Sequence, residues 1–232
     1  KKNVWQMGHS QRFDGLFAWM TESNAISVLN QPSNELDNPG IKYIAATRLG
    51  ACTSEESLDA LVVASQGERE DIFEGITRRK AIEALGRRKD ASALAVIMQA
   101  LHSEDEQTVV NSIDSLINIG LPLNAEFKLV LRDCITHSST AINRVAIQCL
   151  LRLGVDEFSD AIAQLEEHPD PLVSGAALAY SVRLTRSQIK LDLLCARLLN
   201  SVVSVRRASV IDLGDAAHEG CLPFLASAAV SM

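Results

Sequence analysis

Arginines and isolated acidic residues are the side chains of this chain that could do chemistry, because the sequence carries none of the common catalytic or cofactor motifs. Arg78 and Arg79, followed by Lys80, open one apolar segment, and Arg206 and Arg207 open another. A guanidinium offers paired donors and stays charged, which suits it to hold a carboxylate. We therefore predict that Arg78 and Arg79 bind an anionic ligand. For any single arginine, pairing with an acidic residue of a neighbouring repeat is the favoured alternative.

Further polar residues lie along similar apolar segments, and the arginines among them could converge on one groove. They are Arg48, Glu83, Asn111, Asn143, Arg144, Tyr180 and Asp212. Asp114 is the best candidate for an acid or base, because an aspartate held among apolar side chains in the middle of a helix has a raised pKa. An Asp114 that simply faces solvent or an adjacent arginine would fit the sequence equally well.

The bulk composition excludes several classes of protein. Of the 232 residues, 47% are hydrophobic but only 4% are aromatic, which favours closely spaced helices over a sheet sandwich. The net charge of −7 argues against general nucleic-acid binding. Five dispersed cysteines and five isolated histidines predict reduced thiols in the cytoplasm and no metal site. No apolar run approaches the roughly 20 residues that a membrane span needs.

A repeated segment organises the chain: an Ala-rich apolar stretch with an Arg or Asn near its start, ending in Leu-Gly or a close variant. The six copies, called signature helices below, are Ile41–Gly50, Ile76–Gly86, Thr108–Gly120, Ile142–Gly154, Leu172–Thr185 and Val205–Gly214. Each is followed by a turn and a second apolar helix: Glu55–Ala64, Ala91–Leu101, Ala125–Ile135, Ser159–Leu165, Ser187–Leu199 and Cys221–Ala229. Successive copies end 29 to 36 residues apart, which is the range of helix-pair repeats.

This pattern predicts an all-α fold of the HEAT-like α-solenoid class, a superhelical stack of antiparallel helix pairs. We predict an N-terminal helical cap over residues 1–37, with a helix from Phe13 to Leu29. A solenoid of about five to six helix pairs, truncated at its C-terminal end, is predicted over residues 38–232. The glycines that end the signature helices are expected to be left-handed C-caps. The acidic connection at residues 66–75 is either a lid or partner loop or a tolerated insertion.

The signature helices also resemble a known family, the E/F-type phycobilin lyases of cyanobacteria. The resemblance covers roughly residues 13–217 and is most specific between residues 43 and 114. It is carried by Tyr43-Ile-Ala-Ala-Thr-Arg48-Leu, by Thr77-Arg78-Arg79-Lys80-Ala-Ile-Glu83-Ala-Leu-Gly86-Arg87, by Glu104-Asp105, and by Thr108-Val-Val-Asn111-Ser-Ile-Asp114. The last of these is most similar to the branch of the family that acts on phycoerythrin.

The resemblance implies a HEAT-repeat enzyme that attaches an open-chain tetrapyrrole, or bilin, to a cysteine of a phycobiliprotein subunit by a thioether bond. It implies phycoerythrobilin as the substrate, no permanently bound cofactor and phycoerythrin alpha as the acceptor, and it leaves room for a partner lyase chain. Arg78 and Arg79 would clamp the propionates. The other bilin-binding residues would be Asn111, Arg48 and Arg144.

The resemblance also implies the acid–base roles. Asp114 or Glu83 would protonate or hydrogen-bond the pyrrole nitrogens of the bilin. If the enzyme also isomerises phycoerythrobilin to phycourobilin, Asp114 and Tyr180 would move the two protons. Two alternatives without this chemistry stay open: a HEAT-repeat protein-interaction scaffold, and a phycobilisome-degradation factor that binds phycobiliproteins but attaches nothing.

Overall fold

The computed structural model describes residue 15 and residues 17–66 and 71–228, and helices are the only regular secondary structure among these residues. It comprises thirteen α-helices, labelled α1 to α13 in chain order: Glu22–Asn30, Ile41–Leu49, Glu55–Ser65, Ile72–Arg88, Leu94–Ala100, Glu106–Ile119, Ala125–Cys134, Thr140–Arg152, Ser159–Ala163, Pro171–Thr185, Gln188–Ala196, Val203–Ala216 and Leu222–Ser227. Short 3-10 turns extend or precede several of them. The six predicted signature helices correspond to α2, α4, α6, α8, α10 and α12.

Side-chain caps fix where many of these helices begin. Asp71 accepts hydrogen bonds from the backbone N–H groups of Phe73 and Glu74 at 2.9 and 3.0 Å, so α4 begins at Ile72. The predicted connection over residues 66–75 is therefore shorter than expected, because its last four residues are helical. Residues 67–70, on which the lid hypothesis mainly depended, lie outside the described residues.

The chain divides into two units, residues 1–121 and residues 122–232. In the first unit, the signature helices α2, α4 and α6 pack side by side, and α3 and α5 pack against this layer from a second one. In the second unit, α8, α10 and α12 form the corresponding layer. Both cores consist mainly of Ala, Leu, Ile and Val, as the composition predicts.

Close packing within the signature layer explains one of the repeated glycines. A Cβ on Gly86 would lie 2.7 Å from the Cα of Ser115, whose hydroxyl donates to the Ile82 carbonyl at 2.9 Å. Gly86 therefore lets α4 and α6 touch, and the prediction that it is a left-handed C-cap is wrong, since α4 continues to Arg88. Gly120 and Gly154, with φ of 71° and 70°, do adopt the left-handed conformation expected after a helix.

The first described helix, α1, begins after the N-cap Thr21, whose hydroxyl accepts from the Asn24 N–H at 3.2 Å. A helix was predicted from Phe13 onward, but residues 17–20 form turns and a bend. Residues 1–14 and residue 16, and with them much of the predicted cap, lie outside the described part of the chain. Within that part, no helix is both long and apolar enough to cross a bilayer.

Candidate functional site

In three signature helices, a basic residue near the start of the helix donates hydrogen bonds to backbone carbonyls of the segment before it. Lys42, Arg78 and Arg206 each stand eight residues before a repeat glycine, at positions 50, 86 and 214. Lys42 donates to the Gln31 carbonyl at 2.7 Å, and Arg78 donates through Nε to the Ser65 carbonyl at 3.4 Å. Arg206 donates through Nη1 to two carbonyls in the same way. The repeat thus uses this position to satisfy carbonyl groups at chain turns.

The hydrogen bonds of Arg78 within the chain bear on the prediction that it binds an anionic ligand. The residue is only 6% exposed, and its Nη1 also donates to the Ser103 hydroxyl at 3.3 Å. It lies in a small polar cavity of about 190 Å³, which Gln66 and His102 also line. Arg78 is therefore buried and hydrogen-bonded within the chain, and it would have to leave these contacts to clamp a ligand with Arg79, which stays a prediction.

We expect Arg78→Ala to lower the free energy of unfolding by about 1–3 kcal/mol, because it leaves buried hydrogen-bonding groups without a partner. The matched variant Arg79→Ala removes a half-exposed ion pair and should cost less than about 1 kcal/mol. Urea denaturation followed by circular dichroism measures both values. Equal losses for the two variants would contradict the distinction drawn between these neighbours.

Arg79 forms a two-point ion pair with Asp105, the N-cap of α6. Its Nε and Nη2 donate to the two carboxylate oxygens of Asp105 at 2.8 Å each. Burial alone would raise the pKa of Asp105, but the hydrogen bonds from Arg79 and Thr108 outweigh it and hold that pKa below its usual range. Arg79 can therefore offer the same two donors, Nε and Nη2, to a ligand carboxylate only by releasing Asp105.

Polar side chains lie on both α4 and α6. We call five of them the polar face: Lys80, Glu83, Arg87, Asn111 and Asp114. Glu83 accepts from Lys80 at 2.6 Å and from Arg87 at 3.1 Å. Arg87 also donates to the Thr47 carbonyl at 2.7 Å, which links α4 to α2.

The α6 side of the polar face carries two of the predicted site residues. Asn111 donates to the Arg79 carbonyl at 3.4 Å, which sets α6 beside α4 at this level, and its side-chain oxygen accepts from Gln107 at 2.8 Å. Asp114 lies three residues further along α6, on the same side of the helix. Glu83 thus lies on α4 and Asn111 and Asp114 on the neighbouring α6, and their role in a site stays a prediction.

Asp114 itself is exposed, whereas the sequence pattern predicted it among apolar side chains. Arg48 lies apart from these contacts: its Nε donates to the Met20 carbonyl at 3.0 Å, next to the start of α1. Its observed role is to hold the segment before α1.

Arg144 is committed to a buried ion pair in the second unit. Its Nη2 donates to Asp212 at 2.6 Å and its Nη1 to the Leu172 carbonyl at 2.5 Å. Asp212 is 1% exposed, and burial raises its pKa although Arg144 opposes the rise. A Cβ on Gly175 would lie 2.6 Å from an Asp212 carboxylate oxygen, so this glycine makes room for the pair. Arg144 therefore has a structural role here, and it would have to leave this pair to bind a bilin, which stays a prediction.

Tyr180 is also structural. The side chain is 1% exposed, and its hydroxyl donates to the Val155 carbonyl at 2.5 Å. Burial raises the pKa of Tyr180 to about 12. A phenol that is covered and hydrogen-bonded in this way has no access to a substrate, so its placement does not support the predicted role in proton transfer.

All five cysteines are free thiols and are buried. Burial raises the pKa of Cys134 and of Cys195 to about 11, which disfavours the nucleophilic thiolate. These side chains therefore do not supply a reactive sulfur. Among the described residues, no group of three or more His, Cys, Asp or Glu side chains is arranged to hold a metal ion.

One repeat of the chain matches a known repeat family, and the chain as a whole is similar to known proteins. Residues 77–103 match the PBS lyase HEAT-like repeat. The chain is 31% identical over 227 residues to an uncharacterized phycocyanin operon protein Y of Pseudanabaena tenuis (strain PCC 7409), over 96% of this chain and 52% of that protein. It is 28% identical over 196 residues to the bilin biosynthesis protein CpeY of Synechococcus sp. (strain WH8020), over 81% of this chain and 46% of CpeY. The chain therefore spans about half the length of these two relatives.

A third relative is covered more fully. The bilin biosynthesis protein PecE of Nostoc sp. (strain PCC 7120 / SAG 25.82 / UTEX 2576) is 27% identical over 214 residues, over 91% of this chain and 81% of PecE. A chain in the structure of the complex of CpcE and CpcF of phycocyanin lyase from Nostoc sp. PCC7120 matches with a TM-score of 0.75 at 22% identity. That match covers 90% of this chain and 82% of the other, and it confirms the predicted all-α, HEAT-like solenoid class.

Proposed function

Because this chain belongs to the E/F-type phycobilin lyases, we propose that it attaches a bilin to a cysteine of a phycobiliprotein subunit. The observation that carries the proposal is sequence similarity to two proteins named for bilin biosynthesis, which extends over 81% and 91% of the chain. The matched PBS lyase repeat supports it and contains Arg79, Lys80 and Glu83.

The proposed reaction is the addition of a thiol to a carbon–carbon double bond. The sulfur of the acceptor cysteine bonds to the exocyclic ethylidene carbon of the bilin, and a proton is delivered to the adjoining ring carbon. The atoms balance without an oxidant, a reductant or a leaving group. Since the cysteines of this chain are buried, the acceptor thiol belongs to another protein. The contribution of the lyase is then to orient the two reactants and to place an acid near the bilin.

The polar face supplies the side chains for that role. A bilin lying across α4 and α6 would cover Asp114 and Glu83 and exclude water from around them. Either carboxyl could then hydrogen-bond or protonate a pyrrole nitrogen. Asn111 offers an amide to the bilin, and Arg79 offers a guanidinium in exchange for Asp105. Arg48 would bind bilin only after releasing the Met20 carbonyl.

The finer assignment follows the similarity of the α6 segment to the phycoerythrin-acting branch. We propose phycoerythrobilin as the bilin, phycoerythrin alpha as the acceptor, and isomerisation to phycourobilin as a further activity. Because Tyr180 is buried, we assign the two proton transfers of the isomerisation to Asp114 and Glu83. The protein would work in the cytoplasm, and a partner lyase chain could complete the site.

Co-expression tests the proposal directly. The chain is produced with a supply of phycoerythrobilin and with phycoerythrin or phycocyanin subunits, and the acceptor is analysed by fluorescence on a denaturing gel and by absorbance. We expect covalently bound bilin on the acceptor subunit only when this chain is co-expressed. An acceptor absorbing as phycourobilin would support the isomerase activity as well.

Two controls give the result its meaning. An acceptor whose target cysteine is replaced by alanine should stay colourless, and an acceptor supplied with bilin but without the chain should carry little, heterogeneous product. If the chain binds the subunits tightly but no acceptor is coloured, the protein is a scaffold or a degradation factor and not a lyase.

A further inference from the structure

Lys80, in the middle of α4, has hydrogen-bond donors to spare. Its side chain is 41% exposed, and its ammonium donates to Glu83 at 2.6 Å. An ammonium has three donors, and within the described part of the chain only one of them is used. An exposed ion pair between neighbours on one helix contributes little to stability. Lys80 can therefore turn toward a ligand at low cost.

Arg79, which precedes Lys80 on α4, is less suited to receive a ligand carboxylate. Its Nε and Nη2 donate to the two oxygens of Asp105 at 2.8 Å each, and this pair is electrically neutral. Asp105 is fixed as the N-cap of α6, because it accepts from the Thr108 N–H at 3.0 Å and from the Thr108 hydroxyl at 2.5 Å. A second carboxylate at Arg79 would therefore lie close to a negative charge that is held in place, which is unfavourable.

Glu83 is shared by two cations, so the group that they form has an excess of positive charge. Its Oε2 accepts from Lys80 and its Oε1 from Arg87. Arg87 is 11% exposed, and its Nη2 also donates to the Thr47 carbonyl of α2 at 2.7 Å, so this guanidinium is enclosed between two helices. Lys80 is therefore the cation of the group that a ligand can reach, and a ligand carboxylate there would balance the charge.

Lys80 lies at the same level as Asp114 on the neighbouring helix. Each stands nine residues after the N-cap aspartate of its own helix, so the two hold equivalent positions in successive repeats. Ser115, which follows Asp114, donates to the Ile82 carbonyl at 2.9 Å, so α4 and α6 touch at this level. Lys80 is half-exposed and Asp114 is exposed. A ligand lying across the two helices can therefore meet the ammonium and the carboxyl group together.

We propose that Lys80 binds a propionate of the bilin and so places a pyrrole ring beside Asp114, an inference that rests on the function proposed above. The propionates of a bilin are carried by its pyrrole rings, so a cation that holds a propionate also fixes where the ring nitrogens lie. The ammonium keeps its bond to Glu83 and uses a second donor for the propionate. Lys80 thereby takes the role that the resemblance implied for Arg78 and Arg79.

Titration of the purified chain with phycoerythrobilin and with its dimethyl ester, followed by absorbance and bilin fluorescence, tests the proposal. The ester keeps the conjugated rings but has no carboxylate. We expect the wild type to bind the free acid about tenfold or more tightly than the ester, because the ester cannot form the charge-assisted hydrogen bond. Lys80→Gln should bind the two forms alike, and Lys80→Arg should keep the preference because it keeps the charge.

Two controls isolate the contribution of Lys80. Lys89→Gln removes the same charge from the exposed C-cap of α4 and should keep the preference for the free acid. The double variant Lys80→Gln with Glu83→Gln tests whether the released Glu83 carboxylate, instead of the missing ammonium, weakens binding. We expect the double variant also to bind the two forms alike. Circular dichroism of each variant checks that the helices are retained.

The proposal is overturned if Lys80→Gln keeps the preference, if the double variant regains it, or if the wild type binds the two forms alike or binds neither. A loss of the preference in Arg79→Gln but not in Lys80→Gln would also overturn it, since Arg79 would then hold the propionate. Attachment in co-expression is scored separately. Covalent labelling without a Lys80-dependent preference leaves the lyase function intact, whereas such a preference without labelling contradicts the lyase function and not the site.

Discussion

Replacing either member of the buried Arg144–Asp212 pair is expected to lower the free energy of unfolding by about 3–5 kcal/mol. Asp212 is 1% exposed, and the Arg144 side chain is 14% exposed. Arg144→Met would leave the buried Asp212 carboxylate without its main partner. Asp212→Leu would leave the Arg144 guanidinium without the carboxylate that pairs with it. In each case the remaining charge has lost the solvation of water and is no longer compensated by the opposite charge.

The double variant Arg144→Met with Asp212→Leu should be far more stable than the sum of the single losses implies. Both charges are then gone, and well-packed apolar residues often replace a buried pair at little cost. We expect a net loss of no more than about 2 kcal/mol, part of it from Arg197, whose charge also interacts with Asp212. Urea denaturation of the four proteins gives the coupling energy as a double-mutant cycle.

The same two helices offer a matched control for this cycle. Arg152 of α8 and Asp215 of α12 form a two-point ion pair at 2.8 and 2.9 Å, but their side chains are 35% and 13% exposed. Corresponding replacements there should change stability by about 1 kcal/mol or less, because solvent screens the pair. Additive losses at Arg144 and Asp212 would show that the two charges are not compensated by each other.

The helices could be predicted from the sequence because their signals are local. Apolar spacing, glycine and side-chain caps are all read within one or two turns, and the predicted segments match α2, α6 and α10 to within a few residues. The role of Gly86 could not be predicted, because the reason for it is Ser115 on the next signature helix. A repeat sequence shows that a glycine recurs, but it does not show what each copy touches.

The contacts of the candidate residues could not be predicted, for a related reason. Glu83, Asn111 and Asp114 were candidates because they are polar residues on apolar signature helices, and their role in a site stays a prediction. The partner of Arg144, by contrast, is 68 residues away in the sequence, and no local pattern identifies it. The sequence does carry one signal for a structural role. Lys42, Arg78 and Arg206 each lie eight residues before a glycine, and this constant spacing indicates a position of the repeat that stabilises the fold.

Asp114→Asn is expected to slow bilin attachment by about a hundredfold or more, since a positioned acid contributes about 10²–10⁴ to such reactions. The replacement keeps the size and hydrogen-bonding capacity of the side chain but cannot supply a proton. Bilin affinity should change much less than the rate, because the amide keeps the contacts of the side chain with the bound bilin. The measurement is the rate of covalent acceptor labelling at saturating bilin.

Two further variants separate acid catalysis from a loss of surface charge. Glu106→Gln removes a carboxylate from an exposed position in the first turn of α6 and should not change the rate. Glu83→Gln weakens the contacts to Lys80 and Arg87, so its stability must be measured together with its activity. If Asp114 and Glu83 share the proton transfer, each single variant keeps partial activity and the double variant loses the most.

In the double variant, thiol addition proceeds without control of its stereochemistry. The residual product should therefore be a mixture of stereoisomers with a broadened absorbance band. Attachment at the wild-type rate by Asp114→Asn would show that Asp114 is only a solvated side chain on α6.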